Sequence, residues 1–296
     1  MPSSAPTPRW PDLLPAGRPA LMGILNPTPD SFSDGGRYET PDAALAHAGQ
    51  LLAAGADFID IGGESTRPGA TPVAPEVELD RVMPALRRLA ADGRTVSIDT
   101  RNASVMRAAL GAGAAIVNDV SALTHDPDSF ETVRRSGAPV ILMHMKGDPA
   151  TMNDDPRYGD VVAEVADTLG EQAERFVAAG LLKSQIAVDP GFGFGKTHRH
   201  NLALLHDLDR LTALGYPVCV GASRKLAALT APAGVRLAAS TAAAVLAAQK
   251  GAAILRVHDV AETRVALRIA GFAMPRPPDG PPDGSKPGMA ENPAIV

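Results

Sequence analysis

The feature that most constrains this chain is a unit repeated eight times: a short apolar run that stops at a polar residue. Residues 20–25 lead to Asn26, 58–61 to Gly62-Gly63-Glu64-Ser65, 95–98 to Asp99, and 114–117 to Asn118. Residues 140–143 lead to His144, 186–188 to Asp189, 218–220 to the segment ending in Lys225, and 253–257 to His258. Seven of the runs follow a glycine: Gly55, Gly93, Gly113, Gly137, Gly180, Gly215 and Gly251. A glycine after a helical segment is the left-handed cap that frees the chain to turn into a strand. Eight strands alternating with helices suit an α/β fold of the (β/α)8 TIM-barrel kind, typically about 250 residues long. An open doubly wound sheet shares the alternation but rarely needs eight regular units.

In such a barrel the residues just past the strand C-termini face one mouth. Asn26, Asp99, Asn118, His144, Asp189, Lys225 and His258 are then expected to converge there, far apart as they are in sequence. The stretch 186–196 is the clearest case, because a buried-strand run ends at Asp189 and is followed by Pro190 and three glycines. A carboxylate backed by a chain that can approach a ligand closely describes a pocket floor. Neither nucleotide motif fits: a phosphate loop needs glycine where Pro190 stands, and Gly-x-Gly-x-x-Gly needs it where Lys196 stands.

Composition narrows the partners. With 296 residues, 45% hydrophobic and 21% charged, the chain has ample material for one large core. A net charge of -5 offers no basic surface to nucleic acid, and no long uncharged apolar run suits a membrane. The single cysteine, Cys219, falls in the seventh strand, where it reads as a buried small hydrophobe. A reducing cytoplasm is compatible with that. Residues 1–19 read as a flexible arm, 20–273 as the barrel, and 274–296, dense in Pro, Gly and Asp, as a disordered tail dispensable for chemistry.

Helices are expected over 41–54, with Thr40 as cap, then 75–91, 103–111, 127–136, 158–179, 201–214, 237–250 and 260–272. In the sixth, Leu202, Leu205, Leu208 and Leu211 read as core. The segments 26–36 and 62–69 are expected as loops over the mouth.

The rim residues divide by chemistry. Asp99, Asn118 and Asp189 offer acceptors and Lys225 a positive donor, a set suited to a flat heterocycle with several N–H groups and a carbonyl, such as a pterin or purine edge. Arg67, Arg256 and His258, beside the hydroxyls of Ser65 and Thr66, suit a phosphate or diphosphate. Blander readings exist for each residue alone: Asp99, Asn118 or Asp119 as helix caps, Arg67 or Arg256 as solvated charges, His258 as a structural imidazole.

Several motifs together carry a family resemblance. The segments 22–36, 62–69, 97–100, 118–121, 189–196, 223–225 and 256–258 resemble, in order, those of the dihydropteroate synthases, with a likeness running from about Leu21 to Gly271. The resemblance implies a transferase of folate biosynthesis, cytoplasmic and usually homodimeric. It would join a pterin methyl diphosphate to 4-aminobenzoate with Mg²⁺ as cofactor and be inhibited by sulfonamides. It implies that the C–O bond breaks first, leaving a pterin-stabilised cation for the arylamine. It assigns Asn26 to the metal, and Asp99, Asn118, Asp189 and Lys225 to the pterin. Thr66, Arg67, Arg256 and His258 go to the diphosphate, and Phe32, Pro68 and Ser223 to 4-aminobenzoate. Asp99, Asp189, Lys225, Arg256 and His258 are the expected catalytic set.

Pro27, Arg101 and Leu226 depart from the family pattern without removing a named ligand. Two further readings share the barrel: a pterin-binding methyltransferase domain, which would not need the cationic set, and a non-catalytic paralogue that binds pterin.

Overall fold

The computed structural model describes residues 7–27, 40–65, 71–147, 151, 152, 154, 156–226 and 232–274. Eight strands form one sheet: β1 (Ala20–Leu25), β2 (Phe58–Gly62), β3 (Val96–Asp99), β4 (Ile116–Asp119), β5 (Val140–Met143), β6 (Ile186–Asp189), β7 (Cys219–Val220) and β8 (Ile254–Val257). Every pairing is parallel, in the order β6-β5-β4-β3-β2-β1-β8-β7. A bridge between Val188 and Val218 joins the two ends and closes the barrel.

Around it lie α2 (Pro41–Ala54), α3 (Pro75–Ala91), α4 (Ala103–Gly111), α5 (Ser129–Ser136), α6 (Val161–Ala178), α7 (His198–His206), α8 (Asp209–Thr212), α9 (Ala233–Gln249) and α10 (Val260–Ile269), after a short α1 (Trp10–Leu13). Local chemistry sets the ends. Thr40 Oγ1 accepts from the Ala43 N–H and Pro41 opens α2, and Gly55, at φ 103°, stops it in the left-handed region. A side chain at Gly55 would also meet Arg264.

Helices cover the outer face and side chains fill the barrel, so the strands are buried on both sides, which is why they read as continuous apolar runs. One apolar cluster lies between strands and helices. A second gathers Ala20, Met22, Phe58, Ile116, Ile141, Ala187, Cys219 and Ile254 at the strand beginnings. Trp10, fully buried, belongs to it. Residues 7–19 are therefore not part of a loose arm as expected: α1 plugs the N-terminal end of the barrel. Arg9 donates to the Gly137 carbonyl, Arg18 forks onto Asp57 at 2.7 and 2.6 Å, and Asp57 also accepts from Leu21 N. An indole that would otherwise expose a large apolar area supplies the driving force. The sequence around it, rich in Pro and Ser, hid a single anchoring residue.

Two other expectations are corrected. The expected helix 201–214 starts at His198, where Thr197 Oγ1 accepts from His200 N, and breaks after His206 before α8. Leu205, Leu208 and Leu211 are buried, but Leu202 is 37% exposed. Leu202 and Leu205, three apart on α7, point about 60° away from each other, so Leu202 falls off the face that Leu205 buries. The tail was expected from residue 274, yet Met274 is buried in the core cluster. Residues 275–296 lie outside the described residues. Among the described residues no helix is long and apolar enough to cross a membrane.

Candidate active site

The barrel register brings predicted residues of separate strands together. Gly62 pairs with Asp99 and Asp99 with Asn118 across β2, β3 and β4, and Arg256 pairs with Met22 across β8 and β1. In the mouth Arg256 Nη2 donates to Asp99 Oδ2 at 2.7 Å, and its Nε donates to Asp60 Oδ2 at 2.6 Å. Asn118 Nδ2 donates to the same Asp60 oxygen at 3.1 Å. Asp99 is thus no helix cap: the first N–H of α4, that of Ala103, is taken instead by Asp126 Oδ2. Asp119 does serve the backbone, accepting from Ser121 N and Leu123 N.

Asp60 escaped the sequence reading. It lies inside a strand rather than at its end, and the signal was a carboxylate in an otherwise apolar buried run, which must be paired to be tolerated. Its Oδ1 is buried without a partner. Burial pushes the Asp99 carboxyl up to about 7; Arg256 opposes this and Asp60 adds to it.

Asp189 ends β6 as expected. Its Oδ1 accepts from Gly191 N at 2.7 Å, bending the chain into the glycine loop. Gly191, at φ 68°, passes so close to the His144 carbonyl that no side chain fits. Gly221 clears the floor: a Cβ there would lie 3.7 Å from Asp189 Oδ2 and 3.9 Å from both Lys225 Nζ and Arg256 Cδ. These three side chains consequently converge on one point. Burial raises the Asp189 carboxyl, with Gly191 N–H and Lys225 pulling the other way. Burial likewise pushes Lys225 down to about 8 against the pull of Asp189. Lys225 Nζ sits 4.4 Å from the Phe194 ring centroid.

His144 does not front the mouth. Its imidazole meets Lys196, whose Nζ also donates to the carbonyls of His144, Gly191 and Phe194 at 3.2, 3.1 and 2.9 Å. Lys196, which fits no phosphate motif, is the staple of the Asp189 loop.

On the opposite rim Ser223 Oγ accepts from His258 N at 3.4 Å, tying together two residues expected on different substrates. Arg224, at φ 61°, is held by Asp259 and by Ser240, which fixes the turn that presents Lys225. Asn26 Oδ1 lies beside Gly62 and Asp99, 3.3 Å from where a Gly62 Cβ would stand. Phe32, Thr66, Arg67 and Pro68 lie outside the described residues. Arg101 forks onto Glu64 with two 2.9 Å bonds, and Glu64 also accepts from Val73 N. Neither residue had been singled out as a site residue.

The arrangement offers acceptors at Asp99, Asp189 and Asn118, a cationic amine at Lys225, and a guanidinium between the two halves. Among the described residues no group of three or more His, Cys, Asp or Glu side chains is placed to hold a metal alone. Asn26, a hard oxygen donor beside Asp99, suits an ion whose other ligands come from an anionic substrate and water.

The family model for "Pterin binding enzyme" matches residues 22–258. Dihydropteroate synthase of Escherichia coli K12 is 46% identical over 255 residues, covering 85% of this chain and 90% of that protein. Among solved structures, the Yersinia pestis dihydropteroate synthase with a sulfonamide drug complex superposes with a TM-score of 0.82 at 47% identity, covering 86% of this chain and 93% of that one. The Xanthomonas albilineans dihydropteroate synthase in complex with 7,8-dihydropteroate gives 0.76 at 46% identity, covering 85% and 92%.

Proposed function

The chain belongs to the dihydropteroate synthase family of pterin-binding enzymes, and from that premise we propose how its own residues divide the work of one reaction. The activity is that of a transferase of folate biosynthesis: (7,8-dihydropterin-6-yl)methyl diphosphate and 4-aminobenzoate condense to 7,8-dihydropteroate and diphosphate. The pterin lies on the floor, its N–H groups donating to Asp99 and Asp189, its remaining edge meeting Asn118, and its carbonyl facing Lys225. What supports this is the convergence of Asp189, Lys225 and Arg256 on the space left by Gly221.

The methylene C–O bond breaks with its electron pair leaving on the diphosphate, and the arylamine nitrogen forms the new C–N bond and then loses its proton. Ionised Asp99 and Asp189 favour the cationic ring as that bond weakens, and Arg256 and His258 counter the charge growing on the leaving group, a role the family resemblance also gives to Thr66 and Arg67. Mg²⁺, held by Asn26 and by oxygens of the diphosphate and water, would supply further neutralisation of that charge. The family resemblance assigns Phe32, Pro68 and Ser223 to the 4-aminobenzoate.

Release of pyrophosphate on mixing the two substrates is the direct test, and binding of pterin without release would leave a non-catalytic barrel. We place the enzyme in the cytoplasm, which the lone buried Cys219 suits, as a homodimer. Exposed Val235 and Leu246 on α9, with Val265 and Ile269 on α10, support pairing through those helices. Sedimentation as a monomer at micromolar concentration would reject it.

A further inference from the structure

Asp60 and Asp99 grip one guanidinium from different depths. The Asp60 side chain is 0% exposed, while Asp99 keeps 14% and Arg256 15%. Asp60 is out of a ligand's reach, and the oxygen it gives to Arg256 Nε also accepts from Asn118. Asp99 ends β3 at the mouth, where a ligand arrives. One grip is permanent and the other is exchangeable.

An Asp99 oxygen that accepts from Arg256 is less available to a ring N–H, and a guanidinium held by two carboxylates has little charge left for a diphosphate. The two halves of the substrate therefore meet a contact that each must break. Resting on the reading that Asp99 takes the pterin and Arg256 the diphosphate, we propose that Asp60 is a positioning residue. It keeps Arg256 Nε in place while the Nη2 arm passes from Asp99 to the diphosphate as the pterin takes over Asp99. Occupation of the ring site then exposes the cation that receives the leaving group, and by linkage the diphosphate strengthens binding of the ring to the same degree.

The test is calorimetry on the full chain in Mg²⁺ buffer, with inorganic pyrophosphate and 6-hydroxymethylpterin as separate and combined probes. Each should bind at least about fivefold tighter when the other is saturating. Asp99→Asn should bind pyrophosphate alone as tightly as the wild type binds it with pterin, with no further gain on adding pterin. Asp60→Asn keeps an oxygen for Arg256 and Asn118 but removes the buried charge, so Arg256 leans on Asp99. Pterin alone should then bind about fivefold or more weakly at a near-wild-type melting temperature. Independent binding of the two probes by the wild type, or weaker pyrophosphate binding by Asp99→Asn, overturns the exchange. An Asp60→Asn variant that only melts lower, with unchanged pterin affinity, returns Asp60 to packing. If the wild type binds neither probe, the assignment of the site itself is wrong.

Discussion

Lys196 Nζ lies 3.0 Å from His144 Nδ1, both side chains buried, so an amine and an imidazole share one proton-poor pocket. Burial pushes the imidazole down to about 3 and the amine down to about 7.

Because the folded-state pKa of Lys196 lies below its unfolded value, the folded chain holds fewer protons between about pH 7 and 10.5. Stability from this group therefore rises with pH across that window and is lost as pH falls through 7. Lys196→Met strands three carbonyl oxygens and should cost at least about 2 kcal/mol. Urea unfolding at pH 7 and at pH 9 checks both statements: the gap between wild type and variant should widen at the higher pH. A gap that stays constant would mean that Lys196 is fully charged in the fold.

Asp189→Asn should separate binding from folding. The amide oxygen can keep the Gly191 N–H, while the amide NH2 replaces the oxygen that faces Gly221 and would meet ring donors head on. Losing one partner of a desolvated charge-assisted contact costs roughly 2–5 kcal/mol, so pterin affinity should fall about a hundredfold or more. Melting should stay near that of the wild type. Normal affinity with a clearly lowered melting temperature would make Asp189 a structural turn residue only.

The pH dependence of pterin binding reports on Asp99. Its carboxyl, raised to about 7 mainly by burial, accepts ring N–H groups most strongly when ionised, so affinity should rise with pH through neutrality. Arg256 holds that carboxyl down, so Arg256→Met should move the limb to higher pH. Calorimetric titration of 6-hydroxymethylpterin from pH 5.5 to 9 reads it, and a limb that stays in place would detach Arg256 from Asp99.

Arg101 should matter through Glu64. Their forked pair is nearly buried, and Glu64 also accepts from Val73 N, so a single carboxylate ties residue 64 to residue 73 and both to the end of β3. In sequence, Thr66, Arg67 and Pro68 fall between residues 64 and 73. Arg101→Met should raise the KM for 4-aminobenzoate about tenfold, equivalent to about 1.4 kcal/mol, with 6-hydroxymethylpterin affinity unchanged. Arg101→Lys should recover part of it. Equal KM values in all three proteins would show that the pair holds its own loop without affecting the 4-aminobenzoate site.

How much of this was legible in the sequence follows the physics of each position. Asp99, Asn118, Asp189 and His258 end apolar runs and Lys225 follows one after a short turn, and a parallel barrel puts run ends at one mouth, so periodicity alone pointed to that mouth. Asp60 and Lys196 act from within, and partners brought from other strands cannot be read from local spacing. Arg256 was read with His258 as anion-binding, but the two carboxylates that hold it lie 157 and 196 residues away. Trp10 and Met274 sit in stretches whose average composition is loop-like, where one large apolar side chain is enough to dock the chain.

The plug at the barrel floor has a spectroscopic consequence. Trp10 is the only tryptophan, and it lies among the strand beginnings, at the end away from the mouth. Indole emission from the native enzyme therefore comes from one dry site that substrates do not touch. It should shift to the red in a single step when the barrel opens and stay still when the mouth fills, so the same sample can report folding by fluorescence while ligand occupancy is followed by heat.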